Sequence, residues 1–429
     1  MESQNRGHSV RLDESKCIGC TTCIRTCPTE AIRVRNGKAY ILNHKCIDCG
    51  VCIRTCPERA KRAVFDPLER MRDFRYTVAL PAPTLYGQYN NLEDVDVVLT
   101  GLLRMGFDAV CEVAGAAEVV SDYTRRLLEQ DHLPKPVISS ACPVVVRLIR
   151  NRFPDLCDRV LPVRAPVHVA ATLARKEAVE KTGYKPEEIG VFFISPCPAK
   201  VTDAYEPVGF EKSDIDGVFS IADIYKPLLE KMNRLTGTEE LTSAGLLGMG
   251  WAVSGGEAAG LLKEKYVAVD GIQNVIKVLD ELENDRLTDL SFIELNACPG
   301  GCVGGACVVE NPFVAKARMT QLRKGLPISR QKYDQNSNTP MDWEDALSYR
   351  SDQTLDKDMA AALQKARRIQ EIRAHLPGLD CGACGAPSCR ALAKDIVAGF
   401  ARESDCLFVL KQLLATLYEQ STGGILPNR

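Results

Sequence analysis

Beyond residue 75, short apolar runs alternate with longer stretches in which apolar residues recur every three or four positions. The runs predict buried strands and the stretches predict amphipathic helices, an alternation typical of parallel α/β sheets. The predicted strands are Tyr76–Leu80, Pro136–Ser139, Gly190–Ser195, Gly217–Ser220 and Ser291–Leu295. The predicted helices of this region are Leu92–Met105, Val119–Gln130, Val144–Arg150, Ile224–Met232 and Gly271–Leu282.

The pattern is different towards the two ends of the chain. Ala31–Val34 and Ala39–Leu42 flank the dipeptide Asn36-Gly37, which predicts a β-hairpin. Residues 326–355 are polar and irregular, and we interpret them as a wrapping linker. The helices predicted beyond this linker are Asp356–His375 and Cys389–Phe408.

Composition and charge narrow the class of protein. The 429 residues are 45% hydrophobic and 26% charged, and the formal net charge of −2 argues against a generally basic nucleic-acid binder. No apolar run reaches the roughly 18 residues of a membrane span. Residues 1–10 are polar and predict no secretory signal, so we expect a cytoplasmic protein. Phosphate-binding and dinucleotide-binding glycine motifs are missing, so nucleotide binding is not expected.

The chain has 19 cysteines, which in a large chain without a predicted secretory signal indicate metal ligation rather than disulfides. Two of the groups read C-x₂-C-x₂-C-x₃-C-P, the spacing of bacterial two-cluster ferredoxins, in which the fourth cysteine ligates the other cluster. A pair of zinc sites is the alternative. We therefore predict two [4Fe-4S] sites, one at Cys17, Cys20, Cys23 and Cys56, the other at Cys46, Cys49, Cys52 and Cys27.

A further group near the C-terminus has the spacing C-x₂-C-x₄-C-x₁₆-C in a loop rich in glycine and proline. Glycines let the backbone approach a cluster and donate N–H groups to its sulfur atoms. We predict a third [4Fe-4S] site, with a four-cysteine zinc site as the alternative. Its ligands are Cys381, Cys384, Cys389 and Cys406.

The predicted α/β region contributes the last group. Cys142, Cys197 and Cys298 each precede a proline just after a predicted strand, and Cys302 follows four residues beyond Cys298. Ligands of open α/β sheets bind at the carboxyl ends of the strands, so these cysteines predict a four-thiolate pocket. Cys111, Cys157 and Cys307 have no ligand spacing and are expected to be structural, and His168 is expected to be a packed histidine.

Three motifs resemble those that hold the H-cluster of [FeFe]-hydrogenases. They are Ser139–Pro143, Ile194–Lys200 and Asn296–Gly305, and they follow a two-cluster ferredoxin segment, as in that family. The resemblance covers roughly residues 17–325. It implies that the four cysteines of the pocket hold a [4Fe-4S] cubane. It also implies that Cys302 bridges this cubane to a diiron unit carrying CO, CN⁻ and an azadithiolate.

The resemblance also implies roles for residues around the diiron unit. Lys200 matches the lysine that hydrogen-bonds a cyanide, which fits the need of a buried ammonium for an anionic partner. Pro196, Gly300 and Gly301 are expected close to the ligands. The segment from Trp251 to Ala258 resembles the Gly-Gly segment beside the diiron site.

Three positions depart from the family pattern. Ala141 stands where catalytic members have a cysteine that relays protons, and Ser195 and Asn296 stand where methionines are usual. The loss of the relay cysteine predicts slow turnover unless water, Glu257 or Glu294 substitutes.

Together with the C-terminal cysteines, these departures resemble a divergent branch of the family suspected of sensing hydrogen. The resemblance implies an enzyme that interconverts H₂ with protons and electrons, using the H-cluster and three accessory [4Fe-4S] clusters. Its expected partners are a redox partner or other subunits of a complex, and hydrogenase maturation proteins. A hydrogen sensor with the same cofactor and a non-catalytic iron–sulfur electron-transfer or assembly protein are the alternatives.

These interpretations give the expected domain organisation of the chain. We predict a ferredoxin-like α+β domain over residues 1–74 and a two-lobed α/β H-cluster domain over residues 75–325. The wrapping linker covers residues 326–355, and a small helical iron–sulfur domain covers residues 356–429.

Overall fold

The computed structural model describes residues 7–130, 132–350, 355–356 and 358–422, and it has a mixed α/β fold. The polar N-terminus and the linker predicted above lie partly outside these described residues. Contacts divide the chain into two units. The larger unit comprises the described residues through Val10, Ile47–Gly50 and Ala63–Arg350. The smaller unit comprises Arg11–Cys46, Val51–Arg62 and the described residues from 355 onward.

The strands and helices are numbered here along the chain. The strands are β1 (Val10–Leu12), β2 (Ile32–Arg35), β3 (Lys38–Ile41), β4 (Lys61–Ala63), β5 (Tyr76–Pro81), β6 (Ala109–Val110), β7 (Val137–Ile138), β8 (Ile189–Ser195), β9 (Gly217–Ser220), β10 (Tyr266–Asp270) and β11 (Phe292–Asn296). The helices are α1 (Thr22–Thr26), α2 (Val51–Thr55), α3 (Asp96–Arg104), α4 (Val113–Glu129), α5 (Pro143–Arg152), α6 (Pro166–Thr182), α7 (Pro198–Tyr205), α8 (Ile221–Met232), α9 (Leu246–Gly250), α10 (Gly256–Gly260), α11 (Ile272–Glu283), α12 (Pro312–Leu322), α13 (Met359–His375), α14 (Cys389–Val397) and α15 (Leu407–Thr422).

Two parallel sheets form the framework of the larger unit. One has the strand order β6-β5-β8-β9 and the other the order β10-β11-β7. All the pairings in both sheets are parallel, which confirms the predicted α/β class. Every residue of β8 is buried, as expected for a central parallel strand that is covered on both faces.

Alternating side chains of the four-stranded sheet enter two hydrophobic cores. Leu80 and Val191 join a core that includes residues of α4 and α6. Ala79, Phe192 and Ile194 join a second core that includes residues of α3 and α8. The two-residue period of a strand therefore places one helical layer on each face of the sheet.

The smaller unit contains the predicted hairpin. β2 and β3 pair antiparallel, with Ile32 opposite Ile41 and Arg35 opposite Lys38. Asn36 and Gly37 connect them with φ angles of 51° and 72°, as the two central residues of a type I′ turn require. β1 and β4 form a second two-stranded sheet.

The predicted helix Cys389–Phe408 is wrong, because the structure has two helices there. α14 ends at Val397, and Gly399 follows in the left-handed region with a φ of 78°. The Phe400 amide donates to the Asp395 carbonyl at 2.8 Å, which closes the end of the helix, and Phe400 itself is exposed. The helix restarts as α15 at Leu407.

Other helices were predicted with incomplete bounds or missed. α4 begins at Val113 rather than at residue 119, and α6 was not predicted. α6 is rich in alanine and carries almost no apolar stripe, which explains why its pattern was missed. Among the residues that the structure describes, no helix is both long and apolar enough to cross a membrane.

Candidate functional site

Three strand ends of the larger unit bring four cysteines to one cavity. Cys142 follows β7 and begins α5, Cys197 follows β8 and begins α7, and Cys298 follows β11. Together with Cys302 they line a cavity of about 110 Å³. The two parallel sheets thus meet at this cavity through the carboxyl ends of their strands.

Local backbone chemistry fixes the turns that present these thiols. Pro143 and Pro198 occupy the first positions of α5 and α7, where proline costs no hydrogen bond. The buried Ser195 hydroxyl accepts from the Cys197 amide at 3.1 Å. Gly301 has a φ of 93°, and a Cβ atom there would lie 2.4 Å from the Ser254 nitrogen, so only glycine fits before Cys302.

The cysteines of this cavity are suited to a metal cluster. Burial raises the pKa of Cys142 and of Cys197, and it raises the pKa of Cys302 to about 12. Crowded buried thiols stay protonated without metal, and ligation to iron replaces these protons. Four thiols from three loops that line one cavity therefore fit an iron–sulfur cluster.

Lys200 lies in the wall of the same cavity and is held by one carboxylate. Its ammonium lies 3.2 Å from the Asp203 carboxylate, which also contacts the His168 ring at 3.0 Å. Burial would raise the pKa of Asp203, but the charge of Lys200 and the His168 contact hold it below its usual range. His168 is packed as predicted, with its other ring nitrogen 2.9 Å from the Ser213 hydroxyl. The lysine is thus anchored on one side and faces the cavity on the other.

Two buried carboxyl groups line the cavity beside Ala141. The Ser139 hydroxyl donates to Glu257 at 2.6 Å and accepts from the Ala141 amide at 3.2 Å. Glu294 accepts from the Asn296 amide group at 2.7 Å and from the amides of Gly255 and Ala258.

Burial raises the pKa of both carboxyl groups. Burial, and then the charge of Glu294, raise the pKa of Glu257 to about 8. Burial also raises the pKa of Glu294, although its backbone donors oppose this shift. Glu257 therefore holds a proton at neutral pH, and the Ser139 hydroxyl joins it to the Ala141 amide.

Most of the remaining predicted residues line this cavity. Pro196, Trp251, Gly301, Asn296 and Ala141 do so. Ser195 and Gly300 do not. The Ser195 hydroxyl donates to the Cys197 carbonyl within its own turn, and Gly300 directly precedes Gly301, which does line the cavity.

Sequence reasoning missed Thr84, which also lines this cavity. Its buried hydroxyl has no hydrogen-bond partner among the described residues, so it is available to a bound group. The sequence offers no signal for it, since Thr84 follows Pro83 in an apolar stretch outside the three motifs.

The first predicted ferredoxin-type site is a compact cavity of the smaller unit. Cys17, Cys20, Cys23 and Cys56 all line it, in the grouping predicted from their spacing. Lys61 lines it as well, is 3% exposed, and its ammonium has no hydrogen-bond partner within the described ranges. An unpartnered buried cation beside four thiols fits an anionic cluster better than four neutral thiols.

The second predicted ferredoxin-type site remains a prediction. Cys27, Cys46 and Cys52 belong to the smaller unit, and Cys49 belongs to the segment Ile47–Gly50 of the larger one.

Three of the four C-terminal cysteines belong to or pack against the small core that α13 and α14 form. Cys406 is buried in this core, and Cys384 and Cys389 pack against it. Burial and the neighbouring Cys406 and Cys381 raise the pKa of Cys384, so these thiols lie close together. Cys381 is exposed, and Asp380 beside it accepts from the Cys389 amide at 2.6 Å. The donor set fits a cluster with one ligand at the surface.

Comparison with protein-family models gives three matches. The model described as iron only hydrogenase large subunit, C-terminal domain, matches residues 75–259 and 256–306. A 4Fe-4S dicluster domain matches residues 9–57, and an iron–sulfur cluster family matches residues 376–408.

Similar curated proteins include hydrogenases and an assembly factor. The chain is 27% identical to the "Periplasmic [Fe] hydrogenase large subunit" of Nitratidesulfovibrio vulgaris, over 74% of this chain and 91% of that one. It is 25% identical to "Iron hydrogenase 1" of Clostridium pasteurianum, over 70% of this chain but only 65% of that protein. It is also 21% identical to a "Probable cytosolic Fe-S cluster assembly factor" of Drosophila melanogaster, over 81% of this chain and 83% of that one.

Among solved structures, a variant of an [FeFe]-hydrogenase from Chlamydomonas reinhardtii aligns with a TM-score of 0.46 and 17% identity. That alignment covers 58% of this chain and 83% of that one.

The pKa of Glu257 gives a direct prediction. Because this pKa is raised to about 8, the carboxyl group is protonated below that pH and ionised above it. In protein without the diiron group, the infrared band of a protonated carboxyl should disappear as the pH rises through about 8. Glu257→Gln should remove this band, and the exposed control Glu187→Gln should keep it. A midpoint near the ordinary value of 4.5 contradicts the raised pKa.

Proposed function

The chain belongs to the iron-only hydrogenase large-subunit family, and on this premise we propose that it interconverts H₂ with protons and electrons. The observation that carries the proposal is the cavity shared by Cys142, Cys197, Cys298 and Cys302. Hydrogenase relatives support the reaction, and the cavity supplies the thiols that the cofactor needs.

The four cysteines would hold the H-cluster. Its cubane would bind all four thiolates, and Cys302 would also bridge to the diiron unit. When bound, this group supplies the site at which H₂ is activated and electrons are exchanged. The chain supplies orientation and charge, with Lys200 as the cation of the wall and Thr84 as a free hydroxyl.

Protons would move through Glu257 in place of the missing cysteine. Its carboxyl group lines the cavity, is protonated near neutral pH and shares a hydrogen bond with Ser139 beside Ala141. A general acid works best when its pKa lies near the working pH. Glu294 is a second buried carboxyl group in the wall of the same cavity and would extend this path.

Electrons would pass through three accessory [4Fe-4S] clusters. The matches to a dicluster domain and to an iron–sulfur family support these clusters, as do the shared cavity of the Cys17 group and the packing of the C-terminal cysteines around one core. A redox protein or another subunit would be the partner, and hydrogenase maturation proteins would supply the diiron group. We propose a cytoplasmic location and keep the four predicted domain segments as the proposed boundaries.

The main alternative is a non-catalytic iron–sulfur protein, and the assembly-factor relative favours it. Such a protein needs cubanes but no bridging thiolate. A cubane alone also takes four thiolates, so Cys302 fits both functions, and it is Lys200 in the cavity wall that supports the hydrogenase over this alternative.

The exchange Cys302→Ser tests the proposed function. A serine oxygen is a poor ligand for iron–sulfur clusters, so H₂-dependent dye reduction by maturated protein should fall to background. Iron bound at the accessory sites should stay constant. The matched control is Cys157→Ser, which keeps a donor to the Phe153 carbonyl and should retain activity. Undiminished turnover in Cys302→Ser would overturn the proposal.

The exchange Ala141→Cys tests the proton path. A cysteine at this position restores a proton carrier next to the cofactor, and positioned proton transfer is worth about 10²–10⁴ in rate. We expect turnover to rise by about tenfold or more, and Glu257→Gln to matter less in that background. Ala82→Cys, at another cavity-lining alanine, serves as control. An unchanged rate in Ala141→Cys would mean that proton supply does not limit the reaction.

A further inference from the structure

The C-terminal cysteine loop of the smaller unit lies directly against the ferredoxin-like segment. The Val34 amide on β2 donates to the Gly385 carbonyl at 2.8 Å. A Cβ atom added at Gly382 would lie 3.4 Å from the Ile24 side chain and 3.4 Å from that of Arg25, so the loop backbone passes close to α1. The loop therefore contacts this segment at two points.

Both contacts involve a residue that directly follows a predicted cluster ligand. Gly382 follows Cys381, and Gly385 follows Cys384. On the other side, Ile24 follows Cys23, and Val34 lines the cavity of Cys17, Cys20, Cys23 and Cys56. A short path of covalent bonds and one hydrogen bond thus joins the two four-cysteine sites.

A buried ion pair holds this arrangement. The Arg33 guanidinium, whose side chain is 1% exposed, donates to both oxygens of Asp395 at 2.6 and 3.1 Å. Arg35 donates to the Cys384 carbonyl at 2.6 Å and contacts the same carboxylate. Bidentate pairs of this kind fix direction as well as distance, and breaking a buried pair is costly.

We propose that the C-terminal site is an electron port that exchanges electrons directly with the Cys17–Cys56 site through Val34 and Gly385. The proposal rests on the cluster content given under Proposed function. In each step one cluster loses one electron and the other gains it, with no bond or proton transferred. The external donor or acceptor is a one-electron redox protein. Cys381 and Leu379 are exposed, so the port presents its loop to such a partner.

The Val34–Gly385 main-chain hydrogen bond favours this route, because Val34 lines the Cys17–Cys56 cavity. The loop also approaches the other predicted group, since Ser388 donates to the Glu30 carboxylate at 2.8 Å and the Glu30 amide donates to the Cys27 carbonyl. Cys52 belongs to that other group. Two reduced clusters in close contact broaden or split each other's paramagnetic resonance signals. The pair of clusters that interact can therefore be identified by removing one cluster at a time.

The experiment uses the full chain produced without maturation proteins, so that the diiron group plays no part. After reduction, the signal of the C-terminal cluster should show a spin interaction. Cys20→Ser should abolish this interaction, and the matched variant Cys52→Ser should leave it unchanged. The reverse pattern, or no interaction in the unmodified protein, overturns the proposed route. Loss of H₂ activity alone would not bear on it.

A second set of variants keeps the ligands intact. Asp395→Ala should weaken the spin interaction, because it leaves Arg33 buried and unpaired. Replacing the pair by apolar residues, in Arg33→Met with Asp395→Leu, should restore the docking and the interaction. Glu371→Gln, at the exposed surface of α13, should change nothing. An Asp395→Ala spectrum identical to that of the unmodified protein contradicts the role of the ion pair.

Lys61 carries a second, independent inference. Its ammonium is buried in the wall of the Cys17–Cys56 cavity without a hydrogen-bond partner among the described residues. A thiolate-bound cubane is an anion that becomes more negative on reduction, and a buried cation stabilises that form. We infer that Lys61 raises the reduction potential of this cluster. Electrons that enter at the C-terminal site would then reduce the cluster of the Cys17–Cys56 site.

A redox titration followed by paramagnetic resonance tests this inference. In Lys61→Met the midpoint of this cluster should fall by at least about 59 mV, a tenfold change in the ratio of reduced to oxidised cluster. Lys61→Arg should keep the potential. Lys16→Met removes the same charge beside Cys17 from a side chain that is 58% exposed, where solvent screens it, and should shift the midpoint much less. Equal shifts in Lys61→Met and Lys16→Met would overturn the inference.

Discussion

The convergence of three strand ends on one cavity is the constraint on which the site depends. β7 and β11 belong to one parallel sheet and β8 to the other, so four thiols come from segments far apart in the chain. Each thiol is held by a turn that begins or precedes a helix, and Gly301 permits the close approach that presents Cys302. The thiols are close enough to disfavour one another's ionisation, and ligation to metal replaces their protons. The fold therefore places these four thiols where binding of a metal cluster stabilises them.

The charged groups differ between the larger cavity, lined by Cys302, and the Cys17–Cys56 cavity. Around the larger cavity, Lys200 is neutralised on one side by Asp203, and Glu257 keeps a proton because burial and Glu294 disfavour its charge. Around the Cys17–Cys56 cavity, Lys61 is a buried cation with no partner in the described part of the chain. Under the proposed function, the first environment would hold protons and orient the cofactor, and the second would favour reduction of its cluster. Both follow from the same rule that a buried charge needs a counter-charge or a proton.

Much of this architecture follows from local patterns, and the rest depends on tertiary contacts. Apolar runs predicted β5, β8, β9 and β11 to within one residue, because buried parallel strands are apolar on both faces. Asn36-Gly37 predicted the hairpin for a similarly local reason. The prediction of a single helix over 389–408 was wrong, because it relied on the apolar spacing and disregarded Gly399, whose positive φ ends α14. Thr84 and Lys61 were missed because an unpartnered buried polar group is visible only when the cavity around it is known.

Infrared spectroscopy of anaerobic protein made with hydrogenase maturation proteins tests the central claim most directly. The account predicts stretching bands of iron-bound CO and CN⁻ that shift under H₂ and that are missing from Cys302→Ser. Paramagnetic resonance on the same samples reports whether the cubanes are intact. Cubane signals without any CO or CN⁻ bands would contradict the claim and leave an electron-transfer protein built on a hydrogenase fold.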